Sequence, residues 1–135
     1  MKRKITIALA LLFLTTACSR VAPPAKDNML KNKSFVYLFF STEKECLENQ
    51  PDDDFFLNCH QQVDFYDNNV VEIMLTDIIW RGKYEMEGNT VILTFEPSYE
   101  IPDGEILFEI LNPAKILKTD NGTVWKKISG NSIWK

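Results

Sequence analysis

The feature that most constrains this chain is a central stretch in which polar and apolar residues alternate, broken by tight-turn residues. Arg81, Lys83, Glu85 and Glu87 share one parity, and Gly82, Tyr84 and Met86 share the other. After Gly88-Asn89 the pattern resumes, with Val91, Leu93 and Phe95 opposing Thr90, Thr94 and Glu96. Successive side chains of a strand point to opposite faces, so a period of two predicts a sheet with one wet face and one dry face. A Gly-Asn pair between two such runs predicts a two-residue hairpin.

The same grammar extends in both directions. Phe35 to Phe40 is an aromatic and β-branched run expected to form a first strand buried on both faces. Gln62 to Tyr66 faces Val70 to Leu75 across Asp67-Asn68-Asn69, residues that tolerate left-handed backbone. Ile106, Phe108 and Ile110 alternate with Glu105 and Glu109. Ile101-Pro102-Asp103-Gly104 and Asn112-Pro113 are turns, and a last hairpin joins Lys115–Lys118 to Thr123–Ile128 through Asp120-Asn121-Gly122. Glu43 to Asn49 has room for a short helical turn; no long amphipathic helix and no internal repeat is present. The expected fold is therefore all-β: about eight short strands closing into a small antiparallel up-and-down β-barrel, which leaves no exposed edges. Strands of five to seven residues suit a barrel filled by its own side chains.

The N-terminus is built differently. Met1-Lys2-Arg3-Lys4 precedes the apolar run Ile5–Leu14 and then Thr15-Thr16-Ala17-Cys18. Cations, a short apolar run and a small residue make an export signal. The run is too short to span a bilayer, which takes about 20 residues. Leu14-Thr15-Thr16-Ala17-Cys18 resembles the lipobox of bacterial lipoproteins. That resemblance implies cleavage after Ala17 and a diacylglycerol on the Cys18 sulfur, with palmitate-type acyl chains anchoring the protein in a membrane. At about 0.8 kcal/mol per buried CH₂, several chains hold almost permanently. Ser19, where Asp would favour the inner membrane, implies the outer membrane, facing the periplasm. The expected organisation is a signal peptide over 1–17, a lipidated Cys18 with a flexible, Pro-Pro-containing tether over 18–33, and a barrel domain over 34–135.

Charge and cysteine content narrow the function classes. The full chain carries a formal charge of −4, and loss of Lys2, Arg3 and Lys4 with the signal makes the remainder more acidic still. Between Glu43 and Glu109 the only cations are Lys44, Arg81 and Lys83. Phosphate backbones demand clustered Lys and Arg, so a nucleic-acid partner is not expected. An acidic body suits a cationic protein partner, or serves solubility alone. With Cys18 taken by lipid, Cys46 and Cys59 remain as an even pair in an oxidising compartment. A disulfide between them is expected; free thiols or metal ligands are the alternatives.

A resemblance covers about half of the mature chain. Gly82-Lys83-Tyr84 through Gly88-Asn89 to Val91, Leu93 and Phe95, and the terminal Asn121-Gly122-Thr123-Val124-Trp125-Lys126-Lys127, resemble the hairpins of the small lipocalin-like lipoproteins of bacteria. This implies an eight-stranded barrel and a binding role rather than catalysis. The Gly-x-Trp signature of a lipocalin first strand is absent, since Trp80, Trp125 and Trp134 all lie late.

No motif carries enzyme chemistry. His60 beside Cys59 would point to the opposite face of a strand from its neighbour. Asp52-Asp53-Asp54 lacks the spacing and glycine of a calcium loop; it reads as a solvated acidic loop ahead of a buried Phe55-Phe56 pair. Glu85/Glu87 and Glu105/Glu109 fit a wet sheet face better than a glycosidase pair. No Gly-rich phosphate loop, serine elbow or zinc spacing is present, so neither cofactor nor metal is expected.

The expected function is a membrane-anchored, non-enzymatic binding module for a small apolar ligand or an envelope protein partner. Its candidate binding residues are Asp52, Asp53 and Asp54 on the acidic loop, and Trp80 and Trp125 at the barrel mouth. One alternative is an acidic periplasmic inhibitor of a cationic enzyme such as lysozyme. The lysozyme-inhibitor lipoproteins are also small disulfide-bearing barrels; of their inhibitory loop motif, only Gly82-Lys83-Tyr84 here bears a faint resemblance. The other alternative is a structural or envelope-stress lipoprotein. A hollow barrel favours a ligand carrier; a filled barrel with an exposed apolar patch favours a contact protein.

Overall fold

The computed structural model describes residues 29–51 and 55–134. The expected signal peptide, Cys18, most of the expected tether and Asp52–Asp54 lie outside them.

Eight antiparallel strands form one closed barrel in simple sequence order. They are β1 (Lys33–Leu38), β2 (His60–Phe65), β3 (Val70–Met74), β4 (Ile79–Glu87), β5 (Thr90–Thr94), β6 (Glu105–Asn112), β7 (Lys115–Lys118) and β8 (Val124–Lys127). One short helix, α1 (Glu43–Glu48), lies in the β1–β2 connection. Closure comes from β1 pairing with β8, Phe35 opposite Lys127 and Val36 opposite Lys126. The chain is therefore an all-β, up-and-down barrel, as its alternation predicts.

The turns are where the residue types place them. Asn68 and Asn69 both take left-handed backbone (φ 58°) between β2 and β3, a conformation whose steric cost Asn tolerates. Gly88, at φ 64°, closes the β4–β5 hairpin with Glu87 opposite Thr90. Parity along β4 follows the expected faces: Tyr84 is buried, while Arg81, Lys83, Glu85 and Glu87 are exposed.

The interior is solid. Val63, Phe65, Val71 and Ile73 from β2 and β3 meet Tyr84, Val91 and Leu93 from β4 and β5. Phe35, Phe108, Ile116 and Trp125 fill the other side. Aromatic edges interlock: Phe65 meets Phe35 and Tyr84 at near-perpendicular angles, with centroids 6.0 and 5.0 Å apart. Both ends are stoppered. Ile101, in the β5–β6 connection, is buried against the core at one end. Leu30, just before β1, is buried at the other, with 1% of its surface exposed. Leu30 thus belongs to the folded body, and Lys33 pairs with Phe65, so the folded domain starts several residues earlier than the polar composition of the tether suggests.

Gly82 explains the glycine of the G-x-Y pattern in packing terms. A Cβ there would run into the Thr94 carbonyl oxygen and lie 2.6 Å from Cδ1 of Phe95, whose ring covers the strand at this point. Neither backbone nor a buried aromatic yields easily, so Gly82→Ala is expected to destabilise the barrel by about 1–3 kcal/mol through overpacking. A urea midpoint indistinguishable from that of the unaltered protein would contradict this account of the position.

β1 departs from expectation in length. It ends at Leu38, leaving Phe39 and Phe40 beyond the strand, with Phe39 exposed. Phe35 and Val36, on opposite faces, are nevertheless both buried. The outward Val36 shares a groove with Ile133 and Trp134 of the C-terminal segment, which accounts for the apolar residue on the outer face.

Candidate functional site

Alternating strand direction gathers four connections at one end of the barrel: 39–59, 75–78, 95–104 and 119–123. Three of them enclose an open groove of about 710 Å³. Its apolar wall is Phe39, Phe40, Phe55, Phe56, Leu57 and Leu75. Its polar end is Thr76, Asp77 and Glu100, with the Tyr99 ring beside them.

The groove is held open by a covalent and hydrogen-bonded frame. Cys46, on α1, is joined to Cys59 by a disulfide with the Cα atoms 5.8 Å apart. The pairing expected from cysteine parity is thus present. Thr42 caps α1 by accepting the Glu45 N–H (3.2 Å), and the Glu45 carboxylate accepts the Ser41 N–H (2.9 Å), a variant of the capping box. Gln50 then clips the helix to the returning chain. Its Oε1 accepts the Leu57 N–H at 2.7 Å, and its Nε2 donates to the carbonyls of Leu57 and Cys46 at 3.2 and 3.0 Å. Two further amides tie this loop to the next: Asn58 Nδ2 donates to the Thr76 carbonyl and Gln61 Nε2 to the Leu75 carbonyl. Side-chain amides here replace a sheet ladder, which keeps the backbone satisfied while leaving the apolar side chains free.

Those apolar side chains are not tucked away. Phe56 is 62% exposed, Phe55 nearly as much, and Tyr99 74% exposed. This corrects the expectation of a buried Phe55-Phe56 pair. The barrel interior is already full, and the disulfide-bound loop turns the two rings toward the groove instead of the core.

At the polar end, Glu100 accepts the Trp80 indole N–H and the Thr76 hydroxyl. The same Thr76 hydroxyl lies 3.1 Å from Asp77 Oδ1. Trp80 also meets the Tyr99 ring edge-on, with centroids 6.1 Å apart. The Tyr99 phenol is raised above its usual pKa, first by reduced solvation and then by the negative charge of Glu100 and Asp77.

The sequence-derived candidates are thus divided. Trp80 is half-buried, packed against the core at the barrel rim, and orients Glu100 of the groove. Trp125 is not at a mouth at all. It is fully enclosed, stacked on Tyr37 and edge-on to Phe108, so the structure does not bring the two tryptophans together. Asp52, Asp53 and Asp54 fall outside the described residues; Gln50 and Phe55 on either side of them line the groove. His60, next to the disulfide, has its pKa lowered by burial, partly offset by a hydrogen bond with Gln62. Among the described residues no three or more His, Cys, Asp or Glu gather as a metal site.

What sequence reasoning missed is the aromatic wall itself. The available signal was Phe39-Phe40 at the end of a strand and Phe55-Phe56 inside an acidic, irregular segment, positions outside the alternating strands. Comparisons of the chain with protein-family models, curated proteins and solved structures give no match.

Proposed function

We propose that this chain is a membrane-anchored bacterial lipoprotein of the lipocalin-like kind, lipidated at Cys18 and facing the periplasm from the outer membrane. In this reading its barrel is a rigid, non-enzymatic contact module that docks a partner protein of the envelope. The observation that carries the reading is the exposed aromatic wall of Phe55 and Phe56 above a barrel that is filled and stoppered at both ends. Apolar surface left in water at one place, on a body able to bury it elsewhere, marks an interaction surface. Small-molecule sites enclose most of their ligand; an open groove with rings standing in solvent suits a peptide segment better. The groove also lies at the end of the barrel opposite Leu30, where the chain from the lipid anchor enters.

The test is photocrosslinking in living cells from benzoylphenylalanine placed at Phe56, with Glu85 on the barrel wall as the control position. A discrete protein adduct from position 56 and none from position 85 is the expected result. No adduct from position 56, or the same adducts from both, removes the groove as the contact surface. The anchor is tested separately. Cys18→Ser is expected to abolish palmitate labelling and membrane retention, and unchanged labelling would remove the lipoprotein assignment.

A further inference from the structure

The groove has a charge as well as a shape. Asp77 and Glu100 stand on either side of the Thr76 hydroxyl. That hydroxyl has one proton, so it serves only one carboxylate at a time. The Trp80 N–H serves Glu100 alone. Among the described residues neither Lys nor Arg lines the groove, and no ion pair involves either carboxylate. Two like charges therefore share one donor without a compensating cation, at the end of a cleft otherwise walled by aromatic rings. Glu100 is also fixed in direction, through Trp80 and Thr76, and the exposed Tyr99 ring beside it offers a π-face to a cation.

We propose that the segment docked in this groove is an apolar peptide carrying Lys or Arg, with its apolar side chains against Phe55 and Phe56 and its cation between Glu100 and Asp77. This rests on the contact-module reading above and names the chemistry of its partner. Charge complementarity selects the cationic segment over a neutral or anionic one, because a carboxylate brought against this pair meets repulsion. The guanidinium of Arg, with several donors in one plane, is suited to bridge two carboxylates.

The experiment uses three fluorescein-labelled peptides that share the core Leu-Phe-Leu-Phe and end in two Arg, two Gln or two Glu. Binding to the barrel is read by fluorescence anisotropy. The Arg peptide is expected to bind about tenfold more tightly than the Glu peptide at low salt, a gap that closes as the salt rises. In D77N/E100Q the amide oxygen at position 100 still accepts the Trp80 N–H while the amide N–H donates to the Thr76 hydroxyl, and the variant is expected to erase the ranking while the Gln peptide binds as before. A thermal midpoint close to that of the unaltered protein shows that the variant is folded. Equal affinities for all three peptides, or a ranking that survives D77N/E100Q, overturn the proposal but leave the groove as a docking surface. Should none of the peptides bind while the neutral dye N-phenyl-1-naphthylamine does so in a Phe56-dependent way, the occupant is a small apolar molecule and both readings fail.

Discussion

Trp125→Ala is expected to cost about 3–5 kcal/mol of folding stability, the range for removing a buried large aromatic. The indole is wholly enclosed, stacked at 6.4 Å on Tyr37 and edge-on at 5.2 Å to Phe108. Its N–H donates to Thr123 Oγ1 at 3.0 Å, so truncation also removes one of that hydroxyl's two hydrogen bonds, the other being its own donation to Asn121 Oδ1. A closed barrel cannot collapse inward to fill the void without shortening its ladder. At roughly 4–8 °C per kcal/mol for a domain of this size, the thermal midpoint falls by more than about 10 °C. Trp80→Ala is the control. That ring is half-buried at the rim, and its loss removes one hydrogen bond to Glu100 and an edge contact with Tyr99. Far-ultraviolet circular dichroism, which does not depend on tryptophan emission, orders the two. A Trp80→Ala loss as large as that of Trp125→Ala would mean that the core is centred elsewhere.

The second large effect is expected from opening the disulfide. Cys46 and Cys59 are 13 residues apart in sequence, and closing a loop of this length contributes about 3 kcal/mol. The cost should have two parts. The replacement C46S/C59S lowers the denaturation midpoint of the whole barrel, because the Phe39 N–H to Cys59 carbonyl bond (2.9 Å) sits at the junction of the loop with β1 and β2. It also frees α1, whose remaining tie is the Gln50 amide, and protease cleavage between α1 and β2 should accelerate under native conditions. Reduction of the unaltered protein should reproduce both changes. If the midpoint and the cleavage rate stay where they were, the loop is held by its amides alone and the bridge is incidental.

The barrel was legible because each of its hairpins states its own register locally. Gly88-Asn89 and Asp67-Asn68-Asn69 fix the turns, and alternation then decides which face is dry without reference to any distant residue. The misreadings share one cause: burial that depends on what else has already filled the core. Leu30 looked like part of a tether because a single leucine among polar residues has no period, yet it closes the end of the barrel. Phe55 and Phe56 looked like core because two adjacent aromatics usually are; the core is filled instead by strand residues such as Phe35, Phe65, Phe108 and Trp125. Trp125 lies next to Lys126 and Lys127 in sequence and so suggested a polar mouth, but strand parity sends it inward and Lys126 to solvent, while Lys127 is exposed at the end of the strand. Glu100 offered no signal, since its role arises from Trp80, which is twenty residues away.

Closure through β1 and β8 has a consequence in time. Phe35 and Val36 find their ladder partners only at Lys127 and Lys126, so the first strand to be synthesised waits for the last. The intervening hairpins can form as they appear, but the sheet they make stays open, with a bare edge on each side, until residues 124–127 exist. Pairing across so long a stretch of sequence is slow, since the entropy of joining distant segments is spent before any contact rewards it. Under the export proposed above, that delay is useful. A polypeptide exported in this way would stay threadable during its synthesis and lock once both ends had arrived on the same side of the membrane.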